Sequence, residues 1–105
     1  MQTVFVAGAT GYLGRHLCAE YSRRGAYVIA LVRDRNRTDN LAADSFVEAE
    51  ATQPETLVGV MDGADLVVSA LGITRQTDGL GYQDVDYQAN VNLLKEAERA
   101  EIGHF

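Results

Sequence analysis

The chain holds 105 residues, 47% hydrophobic and 23% charged, the balance of one ordinary globular domain. Its net charge of −6 excludes a broad electrostatic grip on nucleic acid, which needs a basic surface. One cysteine, Cys18, excludes an internal disulfide and a cysteine metal cluster, and no apolar run nears the ~20 residues of a membrane span.

In chain order, Thr3 to Ala7 reads as a first strand, apolar enough to be buried on both faces. Glycines follow at Gly8, Gly11 and Gly14, a G-x-x-G-x-x-G spacing. Tyr12 to Arg24 has helical periodicity, with Leu13, Leu17 and Tyr21 on one face, Gly14 and Cys18 beside them, and Gly25 as the C-cap. Cys18 is expected to pack as a small apolar residue. Tyr27 to Val32 is the second strand. Arg33 to Asn40 is a polar loop that includes a short helix reaching Ala43 in one reading. Ser45 to Glu48 is a short third strand. Pro54 fits the first turn of a helix ending near Met61, and Asp62-Gly63-Ala64 turns the chain. Asp65 leads the fourth strand, Leu66 to Ala70. A glycine-containing loop runs from Gly72 to Gly81. A last helix from Gln83 or Asp84 to Glu101 carries Tyr87, Val91, Leu94 and Ala97 at helical spacing, and Gly103 ends it.

This alternation of strands and helices predicts an α/β fold: a Rossmann-like parallel sheet of order 3-2-1-4 with flanking helices, truncated before strand five. Residues 1–105 then form one dinucleotide-binding domain, expected to be a fragment of a longer protein. The strand pattern begins at the N-terminus, so no signal peptide is expected. A strand, a glycine turn and a helix N-terminus in succession cradle a pyrophosphate: Gly8 permits the tight turn, Gly11 the approach of backbone to phosphate, and Gly14 the close lie of helix on strand. Ligand should bind beyond the C-terminal ends of strands one and four, where the strand order reverses. The strand-four edge is apolar and predicts a homodimer formed through it.

Gly8-Ala9-Thr10-Gly11-Tyr12-Leu13-Gly14-Arg15, Leu31-Val32-Arg33, Ser69-Ala70-Leu71-Gly72 and Asn90-Val91-Asn92-Leu93-Leu94 together resemble the atypical and extended short-chain dehydrogenase/reductases, nearest to the NmrA-like and isoflavone-reductase-like branch. The resemblance spans the chain but only the cofactor half of such a protein. It implies a nicotinamide dinucleotide. Gly8, Gly11 and Gly14 match the phosphate turn, lined by Thr10, Tyr12 and Leu13. Ala70, Leu71 and Gly72 match the segment beside the nicotinamide-side ribose, and Asn90 matches a helix asparagine behind the site. Glu50-Ala51 stands where relatives carry an acidic and a small residue near the adenine. The family's Tyr-x-x-x-Lys catalytic pair does not occur here, so no catalytic residue is assigned and no metal ligand either.

Strand two ends at Val32, where an arginine favours the 2′-phosphate of NADP and a carboxylate favours NAD. Arg33 comes first and supports NADP; Asp34, twenty residues after Gly14, is the contrary signal, and NAD stays possible. Five arginines between Arg23 and Arg37 make a local basic patch, which a solvated loop would also explain. Asp62 and Asp65 read as turn and strand-entry residues, Asp84 and Asp86 as helix-start residues, His16 as a surface residue, and Tyr82 and Tyr87 as packing residues. The expected function is the NADP-preferring cofactor domain of a cytoplasmic oxidoreductase, this portion binding without turnover. The alternatives are an NmrA-like sensor without catalysis and a structural dinucleotide-binding subunit. No nucleic-acid or membrane partner is expected.

Overall fold

A computed structural model describes residues 2–38, 40–71 and 82–103. Four parallel strands lie in the order β3-β2-β1-β4: β1 (Thr3–Ala7), β2 (Tyr27–Val32), β3 (Ser45–Glu48) and β4 (Leu66–Ser69). Two α-helices accompany them, α1 (Tyr12–Arg23) and α2 (Tyr82–Arg99). The predicted order and Rossmann-like architecture are therefore observed, and the first three strands match the predicted bounds.

Strand alternation divides the core into two layers. Val4 and Val6 of β1, with Val28, Ala30 and Val32 of β2, pack beside Cys18 of α1. Phe5 and Ala7, with Leu31 and Val67, pack on the other face with Ala89, Leu93 and Ala97 of α2. Residues on both faces of β1 are fully buried, which is why its sequence is an unbroken apolar run.

The lower, N-terminal ends of the strands carry a repeated clasp. Thr3 donates its N–H to Asp65 Oδ2 at 2.8 Å, while the Asp65 N–H donates to the Thr3 carbonyl at 2.8 Å. Val28 and Asp44 make the same exchange at 2.7 and 2.8 Å. An aspartate placed just before a strand thus completes the ladder of the neighbouring strand.

Three local expectations are corrected. The helix expected from Pro54 to Met61 is a short 3-10 turn (Pro54–Thr56) followed by chained turns, with N–H groups of Leu57, Val60, Asp62 and Ala64 each bonded three residues back. Gly59 at φ +81° and Gly63 at φ +87° take left-handed conformations that interrupt an α-helix, yet Leu57 and Met61 still reach the core. On α2, Tyr87 is 71% exposed and Leu94 42% exposed; the buried stripe is Ala89, Asn92, Leu93, Glu96 and Ala97. Two polar residues on that stripe disguise it. The helix also ends before Gly103. Ile102 N–H bonds the Ala97 carbonyl and Glu101 N–H the Glu98 carbonyl, so Glu101, at φ +60°, takes the left-handed C′ place. At the end of α1 the same pair of bonds is made with Gly25 in that place, as predicted.

Smaller shifts follow: β4 ends at Ser69, α1 at Arg23, and α2 begins at Tyr82. On α1 the buried residues are Gly14 and Cys18, with Leu13 37% exposed, because the helix meets the sheet along that narrow i, i+4 stripe. Burial pushes the Cys18 thiol up to about 11, so it is a packing group.

Candidate functional site

The candidate site begins where β1 ends. Gly8 turns the chain at φ +73°, and a Cβ there would lie 3.1 Å from the backbone of Ala70 and Leu71, at the exit of β4. Gly11 N–H donates to the Gly8 carbonyl at 3.1 Å and closes the turn. Gly11 is the N-cap of α1, in extended conformation with no side-chain cap. The first bond of the helix ladder runs from Arg15 N–H to the Gly11 carbonyl at 2.9 Å, which leaves the N–H groups of Tyr12, Leu13 and Gly14 ahead of it at the positive end of the helix dipole. A Cβ on Gly14 would fall 1.9 Å from the Gly8 carbonyl oxygen, so the helix rests directly on the turn. Tyr12 is 78% exposed, its ring edge-on to His16 at 4.6 Å, so Tyr12 and Leu13 contribute backbone here rather than core packing. Thr10 is exposed, and its carbonyl accepts from Arg15 Nε at 3.1 Å.

Across the strand-order reversal, the β4 exit is held from behind by α2. Asn90 Oδ1 accepts from the Ser69 hydroxyl, Leu71 N–H donates to Ser69 Oγ at 3.3 Å, and Asn90 Nδ2 donates to the Leu71 carbonyl at 3.5 Å. Ala70 N–H continues the ladder to the Ala7 carbonyl at 2.9 Å. The structure therefore brings Gly8, Ala70, Leu71 and Asn90 together. Gly72, predicted beside them, lies outside the described residues, as do Tyr82, Asp84 and Asp86 side chains and His104.

Arg33 stands at the tip of β2, its side chain 81% exposed and its Nη1 3.8 Å from Glu50 Oε1. Asp34 caps the short turn Arg35–Arg37, its Oδ1 accepting from Asn36 N–H at 2.9 Å. Arg35 donates to the Phe46 carbonyl at 3.1 Å, and Arg23 and Arg24 both pair with Glu20. Those three arginines of the sequence patch are thus engaged with the protein itself.

Sequence reasoning missed two buried residues of α2. Asn92 donates from Nδ2 to the Ala51 carbonyl at 2.9 Å and accepts from Gln88 Nε2 at 2.8 Å. Glu96 accepts the Gly59 N–H at 2.9 Å and pairs with Arg99, which also reaches Asp62 at 2.8 Å. The sequence carries no distinguishing signal for them: Gln88, Asn92 and Glu96 at i, i+4 spacing read as a solvated polar face. Among the described residues every buried side-chain nitrogen and oxygen has a partner, and no group of metal-ligating side chains is present.

A glycine turn packed this closely against the helix and the β4 exit, with uncapped N–H groups at the head of that helix, fits the pyrophosphate of a nicotinamide dinucleotide. Comparison with known proteins agrees. The family model described as NAD(P)H-binding matches residues 8–105. The isoflavone reductase homolog IRL of Zea mays is 36% identical over 90% of this chain and 31% of its own length. The Zea mays chloroplastic divinyl chlorophyllide a 8-vinyl-reductase is 34% identical over 98% of this chain and 29% of its own, and the Photosystem II assembly factor Ycf39 of Synechocystis sp. is 32% identical over 97% and 32%. The chain spans about a third of the length of these curated relatives. Among solved structures, a Bacillus halodurans protein of the NAD-dependent epimerase/dehydratase class superposes with TM-score 0.85 at 25% identity, over 100% of this chain and 50% of that one. The UDP-glucose-4-epimerase of Stenotrophomonas maltophila, solved with bound NAD, superposes with TM-score 0.79 at 22% identity, over 97% and 35%, and shows the shared fold.

Proposed function

We propose that this chain, which belongs to the NAD(P)H-binding family, is the cofactor part of a short-chain dehydrogenase/reductase-like oxidoreductase that prefers NADP, and that these 105 residues bind without turnover. One observation carries the reading: the close seat of Gly14 on the Gly8 carbonyl, which leaves room only for backbone at a helix N-terminus. Gly8, Thr10, Gly11, Tyr12, Leu13 and Gly14 hold the pyrophosphate. Ala70 and Leu71, backed by Asn90, border the nicotinamide-side ribose, and the resemblance assigns Gly72 to the same segment. The bound nicotinamide supplies hydride transfer; a proton donor of the Tyr-x-x-x-Lys kind is not among these residues. Arg33 meets the 2′-phosphate. The engagement of Asp34 as a turn cap supports Arg33 over Asp34 as the residue that discriminates the cofactors.

Calorimetric titration of the chain with NADPH and NADH tests this. NADPH should bind more tightly, and Arg33→Ala should weaken NADPH about tenfold or more with little effect on NADH. Equal losses for both would overturn the preference; no binding of either by a chain that melts cooperatively would overturn the cofactor reading. NADPH-dependent reduction by the 105-residue chain would overturn binding without turnover.

A second reading, a non-catalytic sensor or structural subunit, is favoured by the relative whose name is that of an assembly factor. A Tyr-x-x-x-Lys pair in a longer parent chain would decide for the enzyme. No helix among the described residues is long and apolar enough to cross a membrane, and a cytoplasmic setting with one unpaired thiol is part of the proposal. So is a homodimer through the β4 edge, which pairs only with β1 among the described strands. A native mass that stays monomeric at high concentration would remove the dimer.

A further inference from the structure

The loop after β3 is held by several hydrogen bonds around Glu50. Thr56 Oγ1 accepts the Glu50 N–H at 3.0 Å and lies 2.9 and 2.8 Å from the Glu50 and Gln53 carbonyls. The Ala51 carbonyl is fixed by buried Asn92 at 2.9 Å. The Glu50 carboxylate itself accepts from the Thr52 hydroxyl at 3.0 Å and from the Thr52 N–H at 3.4 Å through Oε2. Its other oxygen, Oε1, faces Arg33 at 3.8 Å. The carboxylate is about a third exposed and the guanidinium is 81% exposed, so the anion is the positioned partner and the cation the adaptable one.

We infer that Glu50 is a specificity-determining residue: its carboxylate competes with the 2′-phosphate of the cofactor for the Arg33 guanidinium, and so limits the NADPH preference that Arg33 alone would set. The inference rests on the reading that Arg33 meets that phosphate. A 2′-phosphate arriving at Arg33 must draw the guanidinium from Glu50 and stands near a fixed carboxylate of like charge. The neutral 2′-hydroxyl of NADH meets neither cost. Because the pair is exposed, the effect is modest and screened by salt. Glu50 acts on cofactor selectivity in this account, and it touches no reacting atom.

The experiment measures Kd for NADPH and NADH by calorimetry on four forms of the 105-residue chain: wild type, Glu50→Gln, Arg33→Ala and the double variant. Glu50→Ser serves as a second neutral variant if Glu50→Gln does not fold, and Glu50→Asp as the charged control. Glu50→Gln should raise the NADPH-to-NADH selectivity about fivefold at low salt, less at high salt, and less again when Arg33 is absent. Glu50→Asp should stay near wild type. Selectivity unchanged by Glu50→Gln or Glu50→Ser, with Arg33→Ala still abolishing it, overturns the role of Glu50 and leaves the Arg33 reading standing. Selectivity indifferent to Arg33→Ala overturns both.

Discussion

The connections β1 to β2 and β3 to β4 are both crossovers between parallel strands, the first to the neighbouring strand and the second to the opposite edge of the sheet, and they are built with opposite chemistry. The first uses a regular helix, α1, seated through Gly14 and Cys18 and ended by a glycine at the left-handed position. The second has no α-helix; it is a chain of turns whose apolar anchors, Leu57 and Met61, are fully buried, and whose backbone is gripped by side chains from α2. A crossover can therefore be fixed by steric closeness or by buried polar contacts reaching across 37 to 41 residues of sequence. The steric kind tolerates no added atom. The polar kind depends on charge, and so on pH.

The sharpest way to break this contrast is Gly14→Ala. With its new methyl 1.9 Å from a backbone oxygen, the helix must lift off the turn. We expect a loss of about 3 kcal/mol or more in urea melts, together with loss of dinucleotide binding. A variant melting like the parent would mean that α1 slides freely, and steric closeness would no longer distinguish the first crossover.

Glu96 tests the second crossover. The Arg99 guanidinium holds the Glu96 carboxyl below its ordinary value of 4.5; burial opposes this and the Gly59 N–H assists it. A depressed folded value means that the contribution is fully present above about pH 4.5 and is lost as pH falls through the lower folded value. Glu96→Gln should cost about 2 kcal/mol at pH 7 and flatten the acid limb of stability against pH. An acid limb of unchanged steepness would show that the polar grip on Gly59 does not stabilise the turns.

The smallest effect compares the two helix ends. Glu101 occupies at φ +60° the place that Gly25 fills after α1. Glu101→Gly should raise stability by about 0.5–1 kcal/mol, read as a higher urea midpoint, whereas Gly25→Ala should lower it. No gain from Glu101→Gly would mean that the glutamate side chain compensates its own backbone cost.

This contrast also separates what could be read in the sequence from what could not. The strand bounds, the strand order and the glycine turn were legible because each rests on local periodicity or on a residue type with one steric meaning. The chained turns after Pro54 were not, since Leu57 and Met61 keep helix-like spacing while Gly59 and Gly63 break the helix. The buried face of α2 was misplaced for a different reason. Asn92 and Glu96 are buried because their partners, Ala51 and Gly59, come from distant sequence, and no local pattern announces a distant partner. At the site, Arg33 was legible as a strand-tip cation, but the fixed carboxylate facing it was visible only once β2 and β3 lay side by side.

The clasps of Asp44 and Asp65 have a consequence for amide hydrogen exchange. Strand ends ordinarily fray, but Thr3 and Val28 are bonded at the base of the sheet, so their amides should exchange slowly. The N–H groups at the head of α1 precede the first bond of that helix and should exchange fast. The base of the sheet is thus sealed while the head of α1 stays open, and a bound anion would be registered as protection appearing at Tyr12, Leu13 and Gly14 while Thr3 and Val28 stay as they were.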